Sequence, residues 1–180
     1  MKFSKTPIPG AYIIDLESIS DERGFFARAY CAAEFQDHGL PAEFVQANMS
    51  ENVKKGTIRG LHYQLPPHEE AKFMRAIRGE IFNVIVDVRS GFATYGKWFG
   101  IKLNETNNRA LFVPQGCANG YQALTDGACV LYTTTATYHP KLERGIRWND
   151  PAIGIKWPIT QDVIVSPKDQ AFADFLISKT

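Results

Sequence analysis

Period-two alternation runs through most of the chain. From Phe82 to Arg89, Phe82, Val84, Val86 and Val88 fall on one face, and Asn83, Ile85, Asp87 and Arg89 fall on the other. That spacing predicts a strand. Similar short runs lie at Gly10–Leu16, Glu43–Met49, Thr57–Tyr63, Lys72–Arg78, Trp98–Leu103, Ala110–Val113, Val130–Thr137 and Ile153–Trp157. Turn signals separate them, among them Pro66-Pro67, Arg78-Gly79, Ser90-Gly91, Asn107-Asn108 and Asp126-Gly127. Two helices are predicted. One covers 32–38 and ends at Gly39, a favourable C′ residue. The other starts at Ser166, which can cap, with Pro167 in the first helical position and Asp169 three residues after the cap. Many short strands with two minor helices predict a single all-β domain over residues 1–180, a sandwich or barrel.

Composition narrows the partners. Lys and Arg number 20 against 19 Asp and Glu, a net charge of +1. A balance this even offers no chain-wide footprint for nucleic acid or an anionic membrane. No apolar run approaches the roughly 20 residues of a membrane helix, and the N-terminal residues lack a secretory apolar stretch. Cys31, Cys117 and Cys129 form no C-x-x-C. They read as reduced thiols of a cytoplasmic protein, not as a disulfide frame.

Histidine is scarce, with four in the chain. His38 and His139 read as surface residues, and His68 as a loop residue. His62 lies inside the run 58–64, on the same face as Ile58 and Gly60 if that run is a regular strand. It is either a satisfied core histidine or a base facing a pocket. Lys72 shares a face with Met74 and Ala76, and Tyr132 with Val130 and Thr134. A buried strand face seldom holds Lys, so Lys72 points to solvent or into a site. His, Lys and Tyr on interior faces would make an acid–base set. A metal is disfavoured. The metal-binding cupin pattern needs H-x-H and a later His, whereas this chain has His62-Tyr63-Gln64 and Asn119. Arg23 and Arg59 suit a diphosphate through bidentate bonds, with surface ion pairs as the bland alternative.

The blocks 21–26, Arg59-Gly60-Leu61-His62-Tyr63-Gln64, Pro114-Gln115-Gly116 and Gly145–Pro151 resemble the dTDP-4-dehydrorhamnose 3,5-epimerase family, as does the tail Val165–Asp169. The resemblance covers nearly the whole chain. It implies a cupin-type double-stranded jelly roll and a homodimer, with N-terminal strands of about residues 1–50 exchanged between subunits. It implies inversion at C3, C5 or both of a nucleotide-diphospho-4-keto-6-deoxysugar, without metal or cofactor. By matching positions, His62 is the base, Asp169 its orienting carboxylate, Lys72 the cation at the C4 oxygen, and Tyr132 the acid on the other face. Arg23 and Phe26 match positions that reach a neighbour's site. Gln46, Asn48, Arg59 and Lys168 match nucleotide- or diphosphate-contacting positions, and Tyr138 a substrate-contacting aromatic. Arg23, Arg59, Lys72 and Lys168 are expected to converge on one barrel mouth. An alternative is a 3,4-ketoisomerase on a similar sugar, and another is a non-catalytic sugar-binding cupin.

Two departures stand out. The chain has Arg28 where many members have Glu, and Asn119-Gly120-Tyr121 where His-Gly-Phe is typical. Both are expected in the substrate pocket. Asn hydrogen-bonds but cannot carry charge or shuttle protons. A variant substrate, or inversion of a single carbon, is the expectation that follows, and the identity of nucleotide and sugar stays open.

Overall fold

A computed structural model describes residues 1–176 of the chain. Its elements are β1 (Lys2–Lys5), β2 (Tyr12–Asp15), β3 (Ser18–Asp21), β4 (Gly24–Ala27), α1 (Ala32–Asp37), β5 (Gln46–Asn52), β6 (Thr57–Gln64), β7 (Lys72–Arg78), β8 (Glu80–Asp87), β9 (Trp98–Asn104), β10 (Arg109–Val113), β11 (Cys117–Ala123), β12 (Ala128–Thr134), β13 (Glu143–Gly145), β14 (Ile164–Val165) and α2 (Pro167–Gln170). One sheet runs β1-β2-β10-β7-β12-β5. The other runs β13-β6-β11-β8-β9, with β14 parallel to β6. Among the described residues, strands β3 and β4 pair only with each other. This is the all-β jelly roll with two small helices, one of them near the C-terminus, that the sequence predicts.

The apolar pattern places three cores. Between the sheets lie Met74, Ala76, Ile81, Ile85, Leu111, Val113 and Val130. The outer face of the second sheet carries Val84, Val86 and Leu61, covered by Ile146, Ile153 and Trp157. The outer face of the first carries Phe73, Phe112 and Ile14, covered by Phe35 of α1 and Leu40. Both faces of the central strands are therefore buried. On β8 the predicted alternation separates the two cores, with Ile85 facing in and Val84 and Val86 facing out.

Residues 153–157, predicted as a strand, are not one. The Asp150 carboxylate accepts from the backbone N–H groups of Ala152 and Ile153 at 2.8 and 3.2 Å and holds a turn there. Ile153 and Trp157 are buried as a cover on the outer face rather than as a sheet edge. β11 gave no alternation to read because all seven of its residues are buried. His139 is half-buried and packs against His68 with ring centroids 4.7 Å apart.

The N-terminal strands are seated in their own chain. β1 and β2 extend the sheet through β10, and β5 pairs with β12. Within residues 1–50, the hairpin β3–β4 is the part with no ladder to the rest of the sheet. It exposes Ile19, Phe25 and Phe26.

Candidate active site

The site begins with an irregularity in β6. Asn119 pairs with His62 and Tyr121 with Arg59, so three steps along β6 oppose two along β11. This β-bulge re-aims the side chains that follow it. In a regular strand Arg59 and His62 would point to opposite faces. With the bulge both line the cavity between the sheets, while Ile58 and Leu61 lie in the outer core. His62 is thus not on the Ile58 face, as regular alternation predicted. Gly60 sits at the bulge with φ +109°, and a Cβ there would lie 2.7 Å from both Asn119 O and Gly120 Cα. Only glycine permits that approach.

The bulge also holds a carboxylate. Gly60 N–H donates to Asp169 Oδ2 at 3.0 Å, and His62 Nε2 lies 2.7 Å from Asp169 Oδ1. Ser166 Oγ accepts the Asp169 N–H at 3.1 Å and caps α2. Asp169 joins the cap through its backbone N–H, and its two carboxylate oxygens take the bonds from β6. Burial pushes the Asp169 carboxyl upward, but the bonds from His62, Gly60 and Ser166 outweigh it and hold it below the usual range. The group is ionised at neutral pH and only accepts, so His62 Nε2 carries the proton of their bond, and in the neutral imidazole the lone pair is on Nδ1.

Lys72 and Tyr132 stand on the opposite sheet, on β7 and β12. They line the same cavity of about 640 Å³ as His62, Arg59, Asn119, Lys168 and Asp169. Lys72 Nζ pairs with Glu70 at 3.1 Å, and both side chains are about nine-tenths buried. Gln64 Nε2, buried, donates to Glu70 at 3.2 Å. Burial raises the Tyr132 phenol above its ordinary value, and Tyr121 and Glu70 add to the rise.

An adjoining recess of about 230 Å³ shares His62, Lys72 and Tyr132 and adds Gln46, Asn48, Tyr138 and Glu143. Gln46 donates to Asn48 at 3.0 Å and accepts from Tyr138 N–H at 3.2 Å. Glu143 accepts from Tyr138 Oη at 2.8 Å and pairs with Lys168. Burial lifts the Glu143 carboxyl, but the Lys168 and Tyr138 bonds lower it further, while Glu143 raises Lys168. Arg59 is held by Asn52 Oδ1 at 2.9 Å and by Glu51 O at 3.0 Å.

The model of one family, dTDP-4-dehydrorhamnose 3,5-epimerase, matches residues 5–176. The chain belongs to that family. A dTDP-4-dehydrorhamnose 3,5-epimerase of Methanothermobacter thermautotrophicus is 46% identical over 171 residues, covering 94% of this chain and 91% of its own. The crystal structure of the Elizabethkingia anophelis enzyme superposes with a TM-score of 0.94 at 36% identity, covering 97% and 96% of the two chains. A Legionella pneumophila dTDP-6-deoxy-D-glucose-3,5-epimerase, solved in complex with dTDP-4-keto-L-rhamnose, has a TM-score of 0.90 at 38% identity, covering 95% and 90%. Nucleotide-sugar epimerases are isomerases, and this chain is a member of that class.

Three expected residues stand outside the cavity of their own chain, two of them, Arg23 and Phe26, having been expected at a neighbour's site. Arg23 is exposed on the hairpin and pairs with Asp21 two residues away. Phe26 is 72% exposed beside it. Arg28 pairs with Glu34 of α1 at 3.0 Å and does not line the cavity of its own chain. The expected basic convergence thus holds Arg59, Lys72 and Lys168 but not Arg23. The short β3–β4 hairpin, with its Arg23–Asp21 pair, carries Arg23 and Phe26 away from the sheets, and Arg28 follows it. Sequence reasoning missed Gly60, Glu70, Asn83 and Glu143. For Gly60 a signal existed, a glycine inside an otherwise regular strand, which marks bulges. Glu70 and Glu143 lie outside the predicted strand runs, and no motif marked them.

Proposed function

We propose that the chain inverts C3, C5 or both of a nucleotide-diphospho-4-keto-6-deoxysugar by removing and returning a proton beside the ketone. The observation that carries this reading is the placement of His62 on one sheet and of Lys72 and Tyr132 on the other, across one cavity. Inversion needs proton removal from one face of a carbon and delivery to the opposite face, hence two groups on facing walls.

A carbon beside a ketone is a weak acid, and its enolate needs a positive charge where negative charge develops. The Lys72 ammonium supplies it at the C4 oxygen. His62 Nδ1 takes the proton, and Asp169 both fixes the tautomer and stabilises the imidazolium that forms. Tyr132, kept protonated by burial, returns a proton from the other face. The oxygens and protons involved belong to the chain and the sugar, so the reading calls on no metal or organic cofactor. Arg59 and Lys168 take the diphosphate, with Gln46, Asn48 and Tyr138 in the adjoining recess toward the nucleotide. In a homodimer the β3–β4 hairpin delivers Arg23 and Phe26 to the partner's cavity. The exchange expected for residues 1–50 would include that hairpin. A cytoplasmic location goes with this reading.

The test is incubation with dTDP-, CDP- and GDP-linked 4-keto-6-deoxysugars in D₂O, following deuterium at C3 and C5 by NMR. Wash-in with inversion is expected for at least one of them. A 3,4-ketoisomerase would move the carbonyl instead, and a binding cupin would give no exchange with any.

A further inference from the structure

Asn119 lies on β11 beside His62 on β6, and its amide is held from one side. Nδ2 donates to Val84 O at 2.9 Å and to Asn83 Oδ1 at 2.8 Å. An amide nitrogen has two hydrogens, and both are engaged inside the protein. The orientation follows from the neighbours. Val84 O is a backbone carbonyl that only accepts, so the atom facing it is nitrogen. The same logic passes to Asn83: its oxygen faces Asn119, which turns its own Nδ2 to the Met74 sulfur at 3.0 Å. Asn119 is 5% exposed and lines the cavity. Among the described residues, no donor is paired with its Oδ1. The group that Asn119 offers a ligand is therefore an acceptor alone.

A fixed carbonyl oxygen repels an enolate oxygen and accepts from a hydroxyl. Across the cavity, the Lys72 ammonium has the opposite preference. Two poles of opposite sign on facing walls orient the sugar, with its ketone oxygen toward Lys72 and a ring hydroxyl toward the sheet of His62. We infer that Asn119 is a specificity-determining residue: this site selects 4-keto sugars with a free ring hydroxyl at C2 or C3 that reaches Asn119 Oδ1, and rejects sugars deoxygenated there. The inference rests on the epimerase reading. Asn83 is the positioning residue behind it, holding Asn119 in the acceptor-out orientation.

The test compares a dTDP-4-keto-6-deoxysugar bearing both the 2- and 3-hydroxyls with its 2-deoxy and 3-deoxy counterparts. The readout is kcat/KM for deuterium wash-in at whichever of C3 and C5 the parent sugar exchanges, both of which carry an exchangeable hydrogen in all three. A buried acceptor left without its donor costs enough that the wild type should disfavour one deoxy sugar by about ten- to a hundredfold. In Asn119→Ala that ratio should collapse to within about threefold, because the parent sugar has lost its partner too. Calorimetric binding of dTDP by the variant reports whether the cavity is intact. Wild-type rates within about threefold for all three sugars overturn the inference, independently of any variant. So does an Asn119→Ala protein that binds dTDP and keeps the wild-type ratio. Absence of wash-in at both C3 and C5 of the parent sugar would instead sink the epimerase reading, and the inference with it.

Discussion

Replacing Asp169 by asparagine keeps the shape of the side chain and removes its charge. The consequence is set by Gly60. Its N–H points at Asp169 Oδ2 from a bulge that cannot rotate, so the single oxygen of the new amide stays with that donor. The amide nitrogen then faces His62 Nε2, which lies 2.7 Å from Asp169 in the native site. Two donors cannot face each other, so His62 must expose the Nε2 lone pair and move its proton to Nδ1. That is the atom proposed to take the sugar proton. The variant also loses the anion that stabilises the imidazolium. At an effective dielectric constant of about 20, two unit charges about 4 Å apart attract by about 4 kcal/mol, which is about 10³ in rate. The same Asp→Asn change in a serine-protease triad, which leaves the wrong tautomer, costs about 10⁴ in kcat. The Asp169→Asn protein should therefore lose about 10³-fold or more in deuterium wash-in and still bind dTDP. Nitrogen chemical shifts of the labelled imidazole should report Nδ1–H in place of Nε2–H. Wash-in within about tenfold of wild type would refute the reasoning, as would a large loss with the native tautomer unchanged.

Further outcomes follow from the same geometry. Lys72→Met should lower kcat by about 10²–10³ with KM changed only a few-fold, because the ammonium acts on charge that develops in the transition state; a pure KM effect would contradict this. Tyr132→Phe should keep wash-in at the carbon His62 serves while inversion falls about a hundredfold or more, and full epimerisation by that variant would count against its role. Gly60→Ala should cost about 2–3 kcal/mol or more in urea unfolding, since its Cβ meets Asn119 O and Gly120 Cα at 2.7 Å with φ at +109°; an unchanged midpoint would contradict the bulge geometry. Asp169 has a folded-state pKa below its unfolded value, burial opposing and the His62, Gly60 and Ser166 bonds prevailing. Its contribution to stability is present above the unfolded value of about 3.9 and is lost as pH falls through the folded one. The stability gap between wild type and Asp169→Asn should therefore be full at neutral pH and close in acid, and a gap that widens in acid would contradict the sign.

Much of the sheet framework was legible because alternation survives even where both faces are buried. On β7 and β8 the two apolar sets belong to different cores, between the sheets and outside them. Alternation failed where burial was uniform, as on β11. It misled at 153–157, where large apolar residues cover a sheet face without joining it. In the site, Lys72 and Tyr132 were readable as polar residues on apolar faces. The face of His62 was not, because a bulge adds a residue and period two cannot see it. Local spacing showed Asp169 only as a cap candidate, and the resemblance alone linked it to His62. Its two carboxylate bonds reach Gly60 and His62, 109 and 107 residues away along the chain, and local spacing carries no trace of such pairs. Arg28 illustrates the reverse. The resemblance suggested the pocket, and in its own chain Arg28 pairs with Glu34 of α1.

The central claim is proton removal by His62 and delivery from the facing wall. A single turnover with excess enzyme in D₂O tests it most directly, with the product sugar analysed for configuration and deuterium at each carbon. The account predicts that every inverted carbon carries solvent deuterium and that the wash-in disappears in His62→Ala. Inversion with the substrate's own hydrogen retained, or undiminished exchange in His62→Ala, would contradict it.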